Sequence, residues 1–508
     1  MASRDQEHRI SIPDHNNAGG SGVSVGPGFI NEEDVCSLPI EPADLGEEWI
    51  REVEDKIVSA FEDSTVLWHS DFKDETGPKI CMLPLRDSQP RLETKGGLSQ
   101  PSVVTIGPFH RQDRVSISDK EKWMIVGLMN LLCGLDLASC LVKIKNQVAN
   151  ARNSYSNLDV SDQSSGFKDD KSFAEMLLLD SYFILFMLTI KLRKGPTDYT
   201  LMPPTLNKFT EPPLKLFQDD HFKFLDIIFN KDDIALDLLI LDNQIPFFVI
   251  EELLKELESE KPLHEYALEF FETIHPRSAQ HCKDKNISPP EFLHLLDLFH
   301  WSRVPQNKYT LPRQLDSIDW VPHTPNAMEL RESATVFEKK TSGSSLDITF
   351  QRRRFKGIIG VLDIPELHFR NYSSLIFYNL IAFEIQSSSR GRCTMAFSAL
   401  MRNLLQTEED VKLLRRSGIL VSSSMTASQL TDLFERLSRL TENHQMPSDL
   451  SAICDQVLSY HNDRAYQFFR FIILWYFPNP QATFLVFVSG LLFVPTILQT
   501  IYAMIYHS

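Results

Sequence analysis

Basic charge, paired cysteines and catalytic signatures are what this chain lacks, and each absence excludes something. Lys and Arg number 51 against 68 Asp and Glu, a formal net charge of −17. An acidic surface repels phosphate backbones, which argues against nucleic acid as the main partner. The basic run Arg352-Arg353-Arg354 with Lys356 reads as a solvated turn. The seven cysteines, Cys36, Cys81, Cys133, Cys140, Cys282, Cys393 and Cys454, are odd in number and scattered, without a C-x-x-C pair. That pattern is neither a disulfide framework nor a zinc site, so reduced thiols in a cytosolic setting are expected.

Enzyme signatures are missing too. There is no G-x-x-x-x-G-K-[ST] loop, no G-x-G-x-x-G after a strand and no H-E-x-x-H; His264-Glu265 lacks its second histidine. Gly22-Val-Ser24-Val-Gly26 has the spacing of a hydrolase nucleophile, but no apolar strand precedes it to expose the serine on a strained turn. His275, His281 and Cys282 fit no standard metal spacing and read as a solvated loop. His294 and His300 flank Leu-Leu-Asp-Leu-Phe as helix-edge residues. Asp219-Asp220 and Asp232-Asp233 suit helix N-termini, which favour negative charge. No catalytic, cofactor-binding or metal-ligating residue is assigned. The expectation is a protein that is not an enzyme, with no cofactor and no small-molecule substrate.

A secretory signal is also absent from residues 1–30, which are polar and glycine-rich. The other end is different. Ala482 to Tyr506 carries no charge over 25 residues, and about 20 suffice to cross a bilayer. Phe484, Leu485, Val486, Phe487, Leu491, Leu492 and Phe493 are its anchor residues. Trp475, Tyr476 and Phe477 on one side, with Tyr502 and Tyr506 on the other, are the aromatic belts of such a span. The alternative is a buried core helix. Arg464 and Arg470 before the span, against His507 and Ser508 after it, place the bulk of the chain in the cytoplasm. The plasma membrane is the expected location. The sequons at Asn286 and Asn371 would be silent in that topology.

Between the ends, helical patterns dominate. Residues 1–43 read as a flexible polar tail, 44–470 as a mainly helical domain, 471–481 as an aromatic juxtamembrane segment and 482–506 as a transmembrane helix. Asp44 is a candidate cap for a helix with Trp49, Val53, Ile57 and Phe61 on one face. Lys79 to Leu85 and Gln100 to His110 are expected to be extended or β-like. Ser118 with Glu121 and Thr426 with Gln429 are capping boxes. Asn153 to Lys171 is a polar loop, the apolar stretch from Ser172 a buried helix, and Lys194 to Pro213 a proline-punctuated linker. Leu346 to Phe350 and Ile358 to Ile364 form a small hairpin around the basic turn. The fold class is therefore mainly α: a large helical domain with a few short β-strands and one C-terminal transmembrane helix.

One apolar stretch, Leu238 to Leu254, carries Asp242, Asn243 and Gln244 in its middle, followed by Pro246. Proline pushes the preceding residue out of helical geometry and suits the first position of a helix. One helix should end near Asn243 and the next begin at Pro246, with the polar trio satisfying the orphaned backbone groups. The alternative is a hydrolase or transferase that uses a buried carboxylate near Asp242.

Several blocks resemble, in order, the plant domain-of-unknown-function 247 family, also called the UPF0481 group. They are Val104-Thr-Ile-Gly-Pro-Phe-His110, Glu175 to Asp180 with Phe183-Ile-Leu185, Leu239 to Phe248, His294 to Leu298, Glu329 to Glu332, Asn379 to Glu384, Glu409-Asp-Val411 and Gln499 to Tyr502. The likeness runs from about Trp49 to Tyr506. The family commonly has Glu at Asp242 and a Pro-Trp pair at Pro480-Gln481, so the carboxylate is kept and one aromatic anchor lost. The resemblance implies a mostly helical, membrane-anchored plant protein without established enzymatic activity. Its similarity to grass members at self-incompatibility loci implies a pollen-side determinant of self-recognition. Its partners would be other proteins and the lipid bilayer, met through exposed loops at Asp87 to Gln100, Asn153 to Lys171 and Lys283 to Pro290.

Overall fold

Helix α4 (Asp170–Thr189) shows how the chain organises itself: it is apolar on every side, and a helix of that kind has to be enclosed. In the computed structural model it is the axis of the first part of the fold. The structure describes residues 47–70, 100–111, 115–155, 169–194, 199–202, 231–257, 259, 261–272, 274, 289–305, 324–340, 346–353, 359–387, 390–421, 424–441, 448–463 and 480–506. Asp169 caps α4 by accepting from the Ser172 amide at 3.0 Å. Around α4 pack α2 (Asp119–Cys133), α3 (Leu137–Asn153), α6 (Phe247–Glu256) and α7 (Leu263–Phe271), and α1 (Glu47–Ser70) lies on α2. The expected face of α1 is the packed one: Val53 is buried, with Trp49, Ile57 and Phe61 partly buried on the core. α2 opens with the expected reciprocal bond, the Ser118 amide donating to Glu121 Oε2 at 2.8 Å. Asp232 and Asp233 lie in the first turn of α5 (Lys231–Asp237), as their charge requires.

A second core gathers α9 (Ala327–Glu332), α11 (Cys393–Leu404), α12 (Glu408–Arg416), α13 (Ala427–Thr441) and part of α14 (Ser448–Asn462) beside a small sheet. In that sheet β5 (Ile359–Pro365) is central. It pairs antiparallel with β4 (Thr349–Arg353) and parallel with β3 (Thr335–Lys340), which the sequence pattern did not reveal. The hairpin forms as read, but its first strand runs past Phe350, so Arg352 and Arg353 pair with Gly360 and Ile359 instead of lying in the turn. Tyr460 of α14 closes its edge by donating to Ala334 O and accepting from the Gly360 amide. The Thr426–Gln429 capping box forms as expected. β6 (Leu367–His368) and β7 (Leu420–Val421) make a short parallel pair.

The two cores share α10 (Ser373–Gln386). Leu375, Leu380 and Phe383 belong to the first, and Phe377 and Ile381 to the second. Next to α10 lies α8 (Leu295–Arg303), where the edge assignment fails for His300. His300 is fully buried, its Nε2 2.8 Å from Glu384 Oε1 on α10. His294 is the N-cap of α8, its Nδ1 accepting from the Asp297 amide at 3.3 Å.

Two further expectations are corrected. Gln100 to His110 makes a single bridge, Val104 with Ile117, instead of a strand, because side chains claim its amides. Part of the expected Lys194–Pro213 linker is the second strand of an antiparallel hairpin, β1 (Lys191–Lys194) with β2 (Tyr199–Met202). Asp44, Ser24, Lys79 to Leu85, Asp219-Asp220, His275, His281, Cys282, Arg464, Arg470 and the aromatic run Trp475 to Phe477 lie outside the described residues.

Among the described residues two helices are long and apolar enough to cross a membrane, and burial separates them. The apolar window of α4 is 89% buried, whereas that of the C-terminal helix α15 (Pro480–Tyr506) is 0% buried. α4 is a core helix, and α15 is a candidate span.

Candidate functional site

The site grows from one irregular segment. Ser102 to Gly107 has only the single Val104–Ile117 bridge in place of a strand partner, and each remaining donor inside a core must be accounted for. Asp237, at the C-terminus of α5, takes three of them: the Ser102 amide at 3.0 Å, Val103 at 2.6 Å and Val104 at 3.0 Å. Asn243 faces the next turn, its Oδ1 accepting from the Ile106 amide at 2.6 Å. Its Nδ2 donates to Val104 O at 3.1 Å and Asp237 O at 3.0 Å. Gln244 donates to the Leu238 and Ile240 carbonyls, both at 2.8 Å. Asn243 and Gln244 therefore do what the sequence predicts, satisfying a buried junction.

The junction differs in two respects. α5 ends at Asp237, six residues before Asn243, because Gln244 takes up the carbonyls that a continued helix would have used. Pro246 is the N-cap of α6, not its first helical residue, and the Phe247 amide donates to Leu293 O at 2.9 Å. Asp242 is exposed, so it is not part of the buried polar group. The buried acid nearby is Asp237, which the sequence reading missed. Its signal was an acid within Ile234 to Leu241, a run as apolar as the one that drew attention to Asp242.

A second buried acid, Asp180 of α4, completes the cradle. Its Oδ2 accepts from the Gly107 amide at 2.8 Å, while its Oδ1 receives Arg111 at 2.8 Å and Lys122 at 2.5 Å. Burial pushes the Asp180 carboxyl up, but the Arg111 and Lys122 cations outweigh it and hold the acid below its ordinary value. Burial lowers the Lys122 pKa in turn. Lys122 also donates to Thr105 O, so the same segment is held from both sides. Farther along, Glu384 accepts from the Thr394 amide at 2.7 Å and Met395 at 2.9 Å, capping α11. Asp297 accepts from the Leu293 amide and from Arg390 at 2.7 Å. Most of these residues fall in the blocks that carried the family resemblance.

Chemically, this network is a set of staples. A general base needs a lone pair that can reach a substrate, and the oxygens of Asp180, Asp237 and Glu384 receive backbone amides or cations. Beside the network lies a cavity of about 1470 Å³, bordered by Tyr155, Leu241, Asp242, Gln244 to Phe248, Glu251, His264, Pro289 to His294 and Arg390. Asp242 and Glu291 are exposed on it, and Glu251 is half-buried. Among the described residues no cluster of His, Cys, Asp or Glu is grouped to hold a metal. Cys133, Cys140, Cys393 and Cys454 are reduced thiols outside any disulfide. Burial pushes Cys133 and Cys454 up to about 12, which keeps them protonated and unreactive.

A UPF0481 protein of Arabidopsis thaliana is 24% identical over 362 residues, covering 67% of this chain and 69% of its own length. A putative UPF0481 protein of the same plant is 23% identical over 115 residues, 23% of this chain and 21% of its own. No solved structure matches the chain. The model of the domain-of-unknown-function 247 family, described as plant protein of unknown function, matches residues 89–495. With most of its length inside that match, the chain belongs to this plant family.

Proposed function

We propose that the chain is a membrane-anchored recognition protein without enzymatic activity. The observation that carries this reading is α15, whose apolar window buries none of its residues against the protein. A surface of Phe484, Leu485, Phe487, Leu491, Leu492 and Phe493, each more than half exposed, is costly in water and at home in lipid. The body it would tether directs its buried acids at its own backbone, which suits a scaffold for surface loops better than a reaction centre. The competing reading, a hydrolase or transferase with a buried carboxylate near Asp242, would fall on Asp237, whose oxygens are already taken.

In this reading the tail makes a single pass, the bulk of the chain lies in the cytoplasm, and the membrane is the plasma membrane. The same proposal extends to a role as a pollen-side determinant of self-recognition, the role that the resemblance read from the sequence implies. A fluorescent fusion truncated after Asp463 tests the anchor: it becomes soluble, and retention on membranes would overturn the assignment. Asn371 tests the orientation, because this sequon asparagine is exposed yet stays unglycosylated if it faces the cytoplasm. Introducing alleles of the gene into a self-compatible background and scoring pollen rejection tests the biological role.

A further inference from the structure

The cavity beside the junction combines two features that seldom meet by accident. Its apolar lining is rich in aromatic rings, from Phe109, Tyr155, Phe247, Phe248, Phe292 and Phe383. Two large apolar side chains at its mouth stay open to solvent, Phe109 at 49% and Leu293 at 53%. Around them stand the carboxylates of Asp242, Glu251 and Glu291, none with an ion-pair partner among the described residues. The nearby cations are committed elsewhere: Arg390 to Asp297 at 2.7 Å and Lys255 to Glu252 at 2.5 Å. His294 is neutral near pH 7, since burial lowers it to about 4. The cavity therefore carries net negative charge over π faces, the environment that attracts guanidinium and ammonium groups. Partial burial raises the Glu251 pKa, opposed by the nearby Lys255 charge and reinforced by Glu252 and Glu291; a bound cation would relieve that repulsion.

Size decides between a small amine and a polypeptide. About 1470 Å³ exceeds the roughly 300–1,000 Å³ of ordinary small-molecule pockets. We propose that this cavity is the docking site for a basic, apolar-anchored segment of a partner polypeptide, its Arg or Lys heads on Asp242, Glu251 and Glu291 and its apolar side chains on the Phe109 and Leu293 surface. The proposal rests on the recognition reading above and names the chemistry of the partner.

The test uses the full chain in lipid nanodiscs and fluorescence anisotropy with a labelled nine-residue peptide alternating arginine and leucine. An acidic chain attracts any cation, so an exposed-site control, Glu408→Gln with Glu409→Gln, sets the background. The Arg–Leu peptide is expected to bind, and Glu251→Gln with Glu291→Gln to weaken it at least tenfold while the control pair weakens it less than twofold. Phe109→Ser is expected to weaken it at least threefold without changing its salt dependence, since it removes apolar surface and no charge. Equal losses in the two Glu→Gln pairs would overturn the proposal, as would a Glu–Leu peptide binding as tightly. Spermine displacing the peptide at equal concentration would also overturn it in favour of a small-amine site. Failure here with the truncated fusion still soluble would sink the docking site and leave the anchored-recognition reading standing.

Discussion

The carbonyl oxygen of Gln244 lies 2.4 Å from where a Cβ on Gly107 would stand. Gly107 also has φ +74°, in the left-handed region that costs an L side chain about 1–2 kcal/mol. The glycine lets the 102–107 segment press against the α5–α6 junction, where Tyr155 also donates to Gln244 O at 3.1 Å. Gly107→Ala therefore meets both a backbone penalty and a fixed neighbour, and should lose about 2–4 kcal/mol of stability. Gly134→Ala is the internal comparison: φ is +64° but nothing lies within 4 Å, so the loss should be about 1 kcal/mol. Urea unfolding of both variants checks the ordering, and equal losses would refute the close-approach argument.

Asp180→Asn removes the counter-charge of a fully buried lysine. Breaking such a pair from one side costs about 3–5 kcal/mol, because the remaining charge is left uncompensated. Adding Lys122→Met removes that stranded charge, so the double variant should be more stable than Asp180→Asn alone. Thermal unfolding of the single and double variants reads this directly. A double variant less stable than the single would mean that Lys122 acts mainly through its bond to Thr105 O.

Asp237→Asn and Asp242→Asn differ by five positions in the chain and should differ sharply in effect. The first loses a charged acceptor for three amides in a dry site, about 2–4 kcal/mol. The second alters an exposed side chain and should stay within about 0.5 kcal/mol. Chemical denaturation of the two variants settles which acid holds the junction.

His294 makes stability depend on pH. Burial lowers its folded pKa to about 4 from the ordinary 6.5 of a histidine, with Asp297 raising it and Arg390 lowering it. The unfolded chain therefore binds a proton that the folded chain refuses between those values. Its contribution is complete above about pH 6.5 and declines as pH falls towards 4, with a slope of up to about 1.4 kcal/mol per pH unit. His294→Asn keeps a capping side chain but does not titrate, so its stability profile should be flatter from pH 6.5 to 4. Parallel profiles for the two proteins would contradict the assignment.

Legibility in the sequence followed the range of the interaction. α4, the face of α1 and the Ser118 and Thr426 capping boxes came out as read, because each depends on residues within a turn or two of one another. The β4–β5 hairpin was legible for the same reason. β3 was not, since its pairing with β5 is parallel and is set by the elements that place it alongside. His300 looked like an edge residue because nothing local announces Glu384, 84 positions away.

The sequence by itself determined that the chain is mostly helical, that Asn243 and Gln244 sit at a buried break, and that its last helix is uncharged and apolar. Only the tertiary structure decided which acid is buried at that break. Asp237 is sequestered because the amides of Ser102 to Val104, more than 130 positions away in the chain, fold onto it, while Asp242 meets none and stays in solvent. Periodicity reports which face of a helix turns inward, but a buried charge is stable only where donors converge on it, and that convergence is a property of the fold.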